Sequence, residues 1–239
     1  MDKKDRVIIA LDVNNFSDAK NLVAKLQGQV SVFKVGMELY TACGQEVVQY
    51  IHDSGAKVFL DLKFHDIPNT VASVCKVATQ LGVFMFNVHT SGGSEMMKWA
   101  SEAVREESSR LEIEKPILIG VTMLTSLDQA QIDEVGFSRS IPEQVKSLAL
   151  LAKQSGLDGV VSSPLEIKTI KEVAGNDFQV VTPGIRPEWF VGKGKNDQKR
   201  VMTPNKAFAA GADYIVIGRP VARDDEPDKA MEKVIQEIN

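Results

Sequence analysis

Short apolar segments rich in β-branched residues recur along the whole chain, and segments with helical periodicity separate them. The apolar segments are continuous rather than alternating, which is typical of strands that are covered on both faces. Strands are predicted at residues 7–9, 30–35, 58–60, 83–88, 117–121, 159–161, 179–181 and 214–217. Strands that alternate with helices in this number, in one chain of 239 residues, indicate a closed (β/α)8 barrel, the TIM-barrel fold.

The segments between the strands carry helix start and stop signals. Ser17 is predicted to cap the first helix, and Gly28 lies just past its last apolar position. Ser140 and Ser163 are each followed three positions later by a glutamate, which predicts a capping box at the start of two later helices. A final helix is predicted over about residues 228–238.

An open, doubly wound α/β sheet is the alternative architecture. Such a sheet would usually carry a glycine-rich phosphate-binding turn after its first strand. Here the first strand ends in the sequence Leu-Asp-Val-Asn at residues 11–14, which contains no glycine. No low-complexity segment or linker interrupts the chain, so a single barrel domain over residues 1–239 is predicted.

Composition narrows the class of protein. The chain is 44% hydrophobic and 25% charged, with a formal net charge of −4. This mild acidity argues against nucleic acid as the main partner, and no apolar run approaches the roughly 18 residues of a membrane span. The first residues lack the apolar stretch of a secretion signal. Cys43 and Cys75 lie far apart in helical segments, so two reduced packing residues in a cytoplasmic protein are expected.

Polar residues follow the predicted strands at their C-terminal ends, where a (β/α)8 barrel carries its active site. Asp12 closes the first strand, Lys34 the second, and Asp61 and Lys63 the third. Side chains two apart on a strand leave the same face, so Asp61 and Lys63 are expected to point the same way. We predict that these four side chains form one array of alternating charge, in which each group keeps its neighbour ionised. The positive charge of the two lysines argues against a dedicated divalent-metal site within this array.

The residues on either side of the eighth predicted strand indicate a phosphate site. Gly218 and Arg219 directly follow the eighth strand and offer a backbone N–H and a guanidinium, in the region where barrels commonly bind phosphate. The connection before that strand, about residues 187–203, is long and rich in glycine and basic residues. Loops longer than about 12–15 residues are often lids. We therefore predict that this segment closes over a phosphorylated ligand.

Residues 61–70 contain the pattern D-x-K-x-x-D-I-x-x-T. This pattern resembles the signature of the orotidine 5′-phosphate decarboxylase family, whose members catalyse the last step of de novo UMP synthesis. The resemblance extends over nearly the whole chain, through ALD at 10–12, FKVGME at 33–38, LTS at 124–126, VTPGIR at 181–186, NDQ at 196–198 and IGR at 217–219.

The resemblance implies that orotidine 5′-monophosphate is decarboxylated to UMP without a metal or cofactor, in a homodimer with its sites at the interface. Lys63 would be the general acid. Asp12 and Lys34 would hold the ribose hydroxyls, and Asp61 would help within the charge network. Asp66 and Thr70 would enter the partner's site, where Asp66 would complete a tetrad of charges. Thr125 would contact the pyrimidine ring. The nucleotide site would be lined by Arg186, Gln198, Gly218 and Arg219, of which Gln198 and Arg219 would bind the phosphate.

Other functions remain open on the residues alone. Magnesium-dependent sugar-phosphate decarboxylases and hexulose-phosphate synthases share D-x-K-x-x-D, but their second strand resembles E-x-G where this chain has Lys34. A Schiff-base aldolase would use Lys63 as its nucleophile. A phosphate-binding regulator would bind a nucleotide without decarboxylating it. His65 is expected to pack or face solvent, because it alternates away from Lys63, whereas His89 lies at the rim of the barrel.

Overall fold

The computed structural model describes residues 3–191 and 200–238. Its strands are β1 Val7–Ala10, β2 Val32–Gly36, β3 Lys57–Phe64, β4 Met85–His89, β5 Ile117–Val121, β6 Gly159–Val161, β7 Gln179–Thr182 and β8 Tyr214–Ile217. Neighbouring strands are parallel, and β8 pairs with β1. The described strands therefore close in sequence order into one eight-stranded barrel, which confirms the predicted fold.

Each strand is followed by at least one helix. The α-helices are α1 Phe16–Leu26, α2 Met37–Cys43, α3 Glu46–Asp53, α4 Pro68–Gln80, α5 Gly93–Leu111, α6 Gln129–Glu134, α7 Ile141–Gln154, α8 Ile167–Ala174, α9 Pro204–Ala210, α10 Arg219–Ala222 and α11 Pro227–Ile238. Short 3₁₀ helices lie at Lys3–Arg6, Thr90–Gly92, Pro164–Glu166 and Glu188–Phe190. In the part of the chain that is described, no helix is both long enough and apolar enough to cross a membrane.

The predicted helix starts are partly correct. Ser140 begins α7 with a complete capping box, in which the Glu143 carboxylate accepts a hydrogen bond from the backbone N–H of Ser140. The cap of α1 is Asn15 and not Ser17, because the extended backbone at Asn15 lets its side chain accept from the N–H of Asp18. Ser163 caps only the 3₁₀ turn that precedes α8.

Apolar side chains pack on both sides of the strands. One cluster fills the barrel interior: Ile8, Ala10, Val32, Phe59, Met85, Ile119, Val181, Tyr214 and Val216. A larger cluster lies between the strands and the helices and includes Leu22 of α1 and Ile51 of α3. Because both faces are covered, the strands read as continuous apolar runs. Cys75 of α4 belongs to the outer cluster, and burial raises the pKa of its thiol to about 12, so it remains a protonated packing residue.

The connection between β7 and α9 is described at its two ends. It starts with the 3₁₀ helix Glu188–Phe190, which the sequence did not predict. At its far end Met202 forms a parallel bridge with Ile185 and accepts a hydrogen bond from the backbone of Arg186 at 2.9 Å. Residues 192–199, which make up about half of the predicted lid and contain Gln198, lie outside the described residues.

Candidate active site

Inward positions of the barrel change from apolar to polar near the C-terminal ends of three consecutive strands. Alternate residues of a strand share a face, so the position two residues after an inward apolar residue also points inward. Here these positions are polar: Lys34 follows Val32, Asp61 follows Phe59, and Asn87 follows Met85. The barrel therefore has an apolar interior with a layer of polar side chains on top of it.

A cavity of about 280 Å³ opens at the level of this layer. It brings together most of the site residues that the sequence predicts: Asp12, Lys34, Asp61, Lys63, Thr125, Arg186, Gly218 and Arg219. Its floor is apolar and includes Phe59, Val161 and Val216 of the interior cluster. A cavity with one charged wall and an apolar floor suits a ligand with a flat ring and several polar groups.

The charged wall is the predicted array of alternating sign. The Lys34 Nζ lies 3.6 Å from Asp12 Oδ1 and 3.4 Å from Asp61 Oδ2. The Lys63 Nζ lies 2.7 Å from Asp61 Oδ1. The four charges thus form one row from β1 to β3, with Asp61 in contact with both lysines. Among the residues described, no group of three or more His, Cys, Asp or Glu side chains is arranged to hold a metal ion.

Asp61 is the most constrained member of the row. Burial by itself would raise the pKa of its carboxyl group. The charges of Lys34 and Lys63, together with hydrogen bonds from Lys63 and Asn87, outweigh that effect and hold the pKa of Asp61 below its ordinary value. The carboxylate is therefore ionised at neutral pH and fixes both ammonium groups.

Lys63 has an unusual backbone. Its φ is 53°, in the left-handed region that costs a non-glycine residue roughly 1–2 kcal/mol. At the same place the pairing of β3 with β4 shifts its register between Leu60 and Phe64. Such bulges redirect side chains and are common beside active sites. Asp61 and Lys63 do converge as predicted, but through a bulge and not through the regular alternation of a strand.

Asp12 and Gly218 fit closely at the opposite end of the row. A Cβ atom on Gly218 would lie 2.7 Å from Asp12 Oδ2, which is closer than real Cβ contacts allow. A glycine is therefore needed here for the Asp12 carboxylate to keep its position. Arg219 follows as the first residue of α10 and lines the same side of the cavity.

The remaining wall comes from β5 and β7. Thr125 follows β5 and is buried in the wall of the cavity. Arg186 follows β7, is 7% exposed, and donates from Nη1 to the carbonyl oxygen of Ile185 at 3.0 Å. Its guanidinium lies 6.0 Å from the centre of the Phe190 ring, at the edge of cation–π range. Arg186 thus places a largely buried cation in the wall of the cavity.

Asp66 and Thr70 do not line the cavity of their own chain. Both are exposed, at the end of β3 and in the first turn of α4. Asp66 Oδ1 accepts a hydrogen bond from the N–H of Ile67 at 2.6 Å, and Ile67 is itself 66% exposed. The structure therefore separates these two predicted site residues from the other described ones. Gln198, also predicted, lies outside the described residues.

Two histidines, His65 and His89, lie near Lys63. The His65 and His89 rings are 5.3 Å apart between their centres, and neither is part of the cavity wall. Burial lowers the pKa of His89, and the nearby His65 and Lys63 lower it further against the opposing effect of Asp61. His89 is therefore neutral at pH 7. His65 is exposed, in agreement with the prediction for it.

Comparison with known proteins identifies one family over nearly the whole chain. Residues 5–234 match the model of the family described as "Orotidine 5'-phosphate decarboxylase / HUMPS family". A protein of Syntrophotalea carbinolica named orotidine 5′-phosphate decarboxylase is 49% identical over 238 residues, covering 100% of this chain and 96% of the relative. A protein of Moorella thermoacetica with the same name is 47% identical over 239 residues, covering 100% and 94%.

A solved structure has the same architecture. The crystal structure of orotidine 5′-phosphate decarboxylase from Lactobacillus acidophilus superposes with a TM-score of 0.85 at 39% identity, covering 98% of this chain and 99% of that one. The sequence match and the structural match both extend over nearly the whole length of the chain. In the described part of the chain, residues from several of the patterns that carry the resemblance line one cavity. The chain therefore belongs to the orotidine 5′-phosphate decarboxylase / HUMPS family.

Proposed function

We propose that this chain is a cytoplasmic orotidine 5′-phosphate decarboxylase, which converts orotidine 5′-monophosphate into UMP and carbon dioxide. The names of its relatives support this activity. The observation that carries the proposal is the position of Lys63, held 2.7 Å from Asp61 within a row of fixed charges on the wall of the cavity. The reaction is the last step of de novo pyrimidine synthesis.

The chemistry requires a fixed positive charge. Loss of carbon dioxide from orotate leaves an electron pair at carbon 6 in the plane of the ring, where the ring delocalises it poorly. The Lys63 ammonium would attract this developing anion and then donate a proton to carbon 6. Charges that are held in place before the substrate arrives need no reorganisation during the reaction. The salt bridges of Asp61 supply that arrangement.

The nucleotide would be held at several points of the cavity. Asp12 and Lys34 would bind the ribose hydroxyls, and Thr125 would contact the pyrimidine ring. At the other end, the phosphate would meet Arg219 and Gln198 beside Gly218 and Arg186. Binding energy from the phosphate, remote from the reacting carbon, can be used to close a lid and organise the charged wall.

We also propose a homodimer in which Asp66 and Thr70 enter the site of a second copy. Both residues are exposed and lie outside the cavity wall of their own chain, which leaves them available to a neighbour. Asp66 would complete a tetrad of alternating charge and would crowd the substrate carboxylate. That repulsion would be relieved as carbon dioxide leaves.

Lys34 favours this function over that of the magnesium-dependent relatives. Its Nζ lies within 3.6 Å of both Asp12 and Asp61, so an ammonium occupies the space between the two carboxylates that a divalent cation would use. We therefore expect turnover that is unchanged by EDTA. Borohydride should not trap a Schiff base on Lys63, which would distinguish this reaction from that of an aldolase.

The test follows the conversion of orotidine 5′-monophosphate to UMP in the presence of EDTA. We expect Lys63→Ala to lower kcat by at least about 10⁴-fold, the upper range for a general acid, while UMP binding remains measurable by calorimetry. Lys57→Ala is the matched control, because Lys57 lies at the opposite end of β3 and is exposed. Substantial turnover in Lys63→Ala would contradict the assigned acid, and UMP binding without turnover in the wild type would indicate a regulator.

A further inference from the structure

The Asn87 side chain connects the backbone and the side chains of the charged row. Asn87 lies in β4 and is 0% exposed. Its Oδ1 accepts a hydrogen bond from the backbone N–H of Lys63 at 2.7 Å, and its Nδ2 donates to Asp61 Oδ1 at 2.7 Å. The same Asp61 oxygen accepts from the Lys63 Nζ at 2.7 Å. These three hydrogen bonds form a closed ring through Lys63, Asn87 and Asp61.

The ring is located where the strands lose their regular pairing. Leu60 of β3 pairs with Phe86 of β4, and the next pair is Phe64 with Val88. Three residues of β3 therefore lie opposite one residue of β4, which is Asn87. Its side chain supplies an acceptor to the N–H of Lys63 within this bulge. The N–H of Lys63, whose φ of 53° is left-handed, thus donates to a side chain of the neighbouring strand instead of lacking a partner.

We propose that Asn87 is a positioning residue, which holds the bulge so that Lys63 and Asp61 keep the orientation needed for decarboxylation. This inference rests on the proposed function and deepens it. Asn87 is not in the wall of the cavity, so it acts through its two neighbours and not on the substrate. The carboxamide suits this position because it accepts from an amide N–H and donates to a carboxylate at the same time, at any pH near neutral.

Two substitutions separate these roles. Asn87→Leu keeps the number and branching of the side-chain heavy atoms and removes both hydrogen bonds. Asn87→Asp keeps an acceptor, but as a carboxylate it cannot donate and places a second negative charge against Asp61. When protonated, the new aspartic acid has an O–H donor and a carbonyl acceptor and so resembles the original amide.

The experiment measures kcat, KM for orotidine 5′-monophosphate and the Kd of UMP as a function of pH. We expect both variants to lose about 100-fold in kcat at neutral pH, because a misplacement of about 1 Å can cost that much. KM and the UMP Kd should stay within about threefold of the wild-type values. The ratio of the kcat of Asn87→Asp to that of the wild type should rise as the pH falls, whereas the ratio for Asn87→Leu should stay flat.

Thr79→Val is the control for a buried hydrogen bond elsewhere, since Thr79 Oγ1 donates to the carbonyl oxygen of Cys75 within α4. It should retain the wild-type kcat. If Asn87→Leu does not fold, the pH dependence of Asn87→Asp is the deciding measurement. A ratio of its kcat to the wild-type kcat that rises as the pH falls supports the proposal, and a ratio that stays flat overturns it. Unchanged kcat in Asn87→Leu would also overturn it.

Amide hydrogen exchange at Lys63 makes the result independent of the proposed function. If the wild type does not decarboxylate orotidine 5′-monophosphate, the proposed function fails. The effect of Asn87 on the backbone of Lys63 can still be measured. We expect its amide to exchange at least about tenfold faster in Asn87→Leu than in Thr79→Val or the wild type. Equal protection in all three proteins would show that Asn87 does not hold the bulge.

Discussion

Arg200 and Glu166 form a salt bridge that is almost completely shielded from solvent, with side-chain exposures of 12% and 6%. Arg200 also donates to the carbonyl oxygen of Leu124 at 3.3 Å. The second Glu166 oxygen accepts from the Ser162 hydroxyl at 3.2 Å. The pair therefore connects residue 200 to the segments that follow β5 and β6. The contact on the β5 side is at Leu124, the residue before Thr125 of the cavity wall.

We predict that Glu166→Ala destabilises the protein by about 3 kcal/mol, because it leaves the Arg200 cation buried without its counter-charge. Urea unfolding measures the change. Glu226→Ala is the matched control: Glu226 pairs with Lys229 on the surface, at 59% and 60% side-chain exposure, and exposed pairs contribute less than about 1 kcal/mol. Equal losses in the two variants would contradict a structural role for the buried pair.

The Glu166 pair also shows what a local pattern cannot predict. The spacing of Ser163 and Glu166 is that of a capping box, and this prediction was wrong because Glu166 binds Arg200, 34 residues away, instead of the Ser163 backbone. The same pattern was correct at Ser140 and Glu143, which are both exposed. A tertiary contact outcompeted the local one.

The barrel itself was predictable because its strands are covered on both faces. The predicted segments 117–121, 159–161 and 214–217 coincide with β5, β6 and β8. By contrast, β3 was predicted to end at Leu60 but continues to Phe64. A search for apolar runs stops at the first polar residue, and here the polar residues of the site belong to the strand itself.

The charged residues were predictable by type and place, whereas the structure that orients them was not. Strand alternation predicts that Asp61 and Lys63 share a face, but the left-handed backbone of Lys63 and the bulge opposite Asn87 have no local sequence signal. Asn87 was missed as a site residue. A polar residue at an inward position, two after Met85 in an otherwise apolar strand, was the available indication.

A methyl group on Gly218 should displace Asp12 without disturbing the fold. The added Cβ would lie 2.7 Å from Asp12 Oδ2, the end of a side chain that is 46% exposed and can shift toward solvent. We expect Gly218→Ala to raise KM for orotidine 5′-monophosphate at least about tenfold, which is about 1.4 kcal/mol. The free energy of unfolding should change by less than about 1 kcal/mol, the low end for overpacking.

A double-mutant cycle tests whether this effect acts through Asp12. In an Asp12→Ala background the methyl group no longer meets the carboxylate, so Gly218→Ala should change KM by less than about threefold further. A tenfold effect that persists in this background would mean that the methyl group meets the nucleotide directly.

Asp61 should make the stability of the protein depend on pH. Its pKa lies below the ordinary value of an aspartate in the folded state, because the effects of Lys34, Lys63 and the hydrogen bonds outweigh that of burial. The unfolded chain therefore takes up the proton at a higher pH than the folded one, and the stabilisation by Asp61 is lost as the pH falls through the folded pKa. We predict that the stability difference between wild type and Asp61→Asn is largest at about pH 7 and shrinks below about pH 4. Urea unfolding across this range measures it, and a constant difference would contradict the prediction.

Arg219 should act on the phosphate of the substrate rather than on its ring. It is the first residue of α10, lies in the cavity wall beside Gly218, and projects from the region where barrels bind phosphate. Charge-assisted hydrogen bonds to a phosphate are worth about 1.5–3 kcal/mol, so Arg219→Ala should lower kcat/KM for orotidine 5′-monophosphate by about 10- to 100-fold.

The loss of kcat/KM caused by Arg219→Ala should be much smaller for orotidine, which has the same ring and ribose but no phosphate. Orotidine offers the guanidinium no phosphate to bind, so removing the guanidinium costs little. Arg223→Ala is the matched control, since Arg223 is exposed at the C-terminal end of α10 and absent from the cavity wall. It should leave both rates unchanged. If Arg219→Ala lowers kcat/KM equally for the two substrates, the residue supports the ring or the fold, and the phosphate must be bound elsewhere in the cavity.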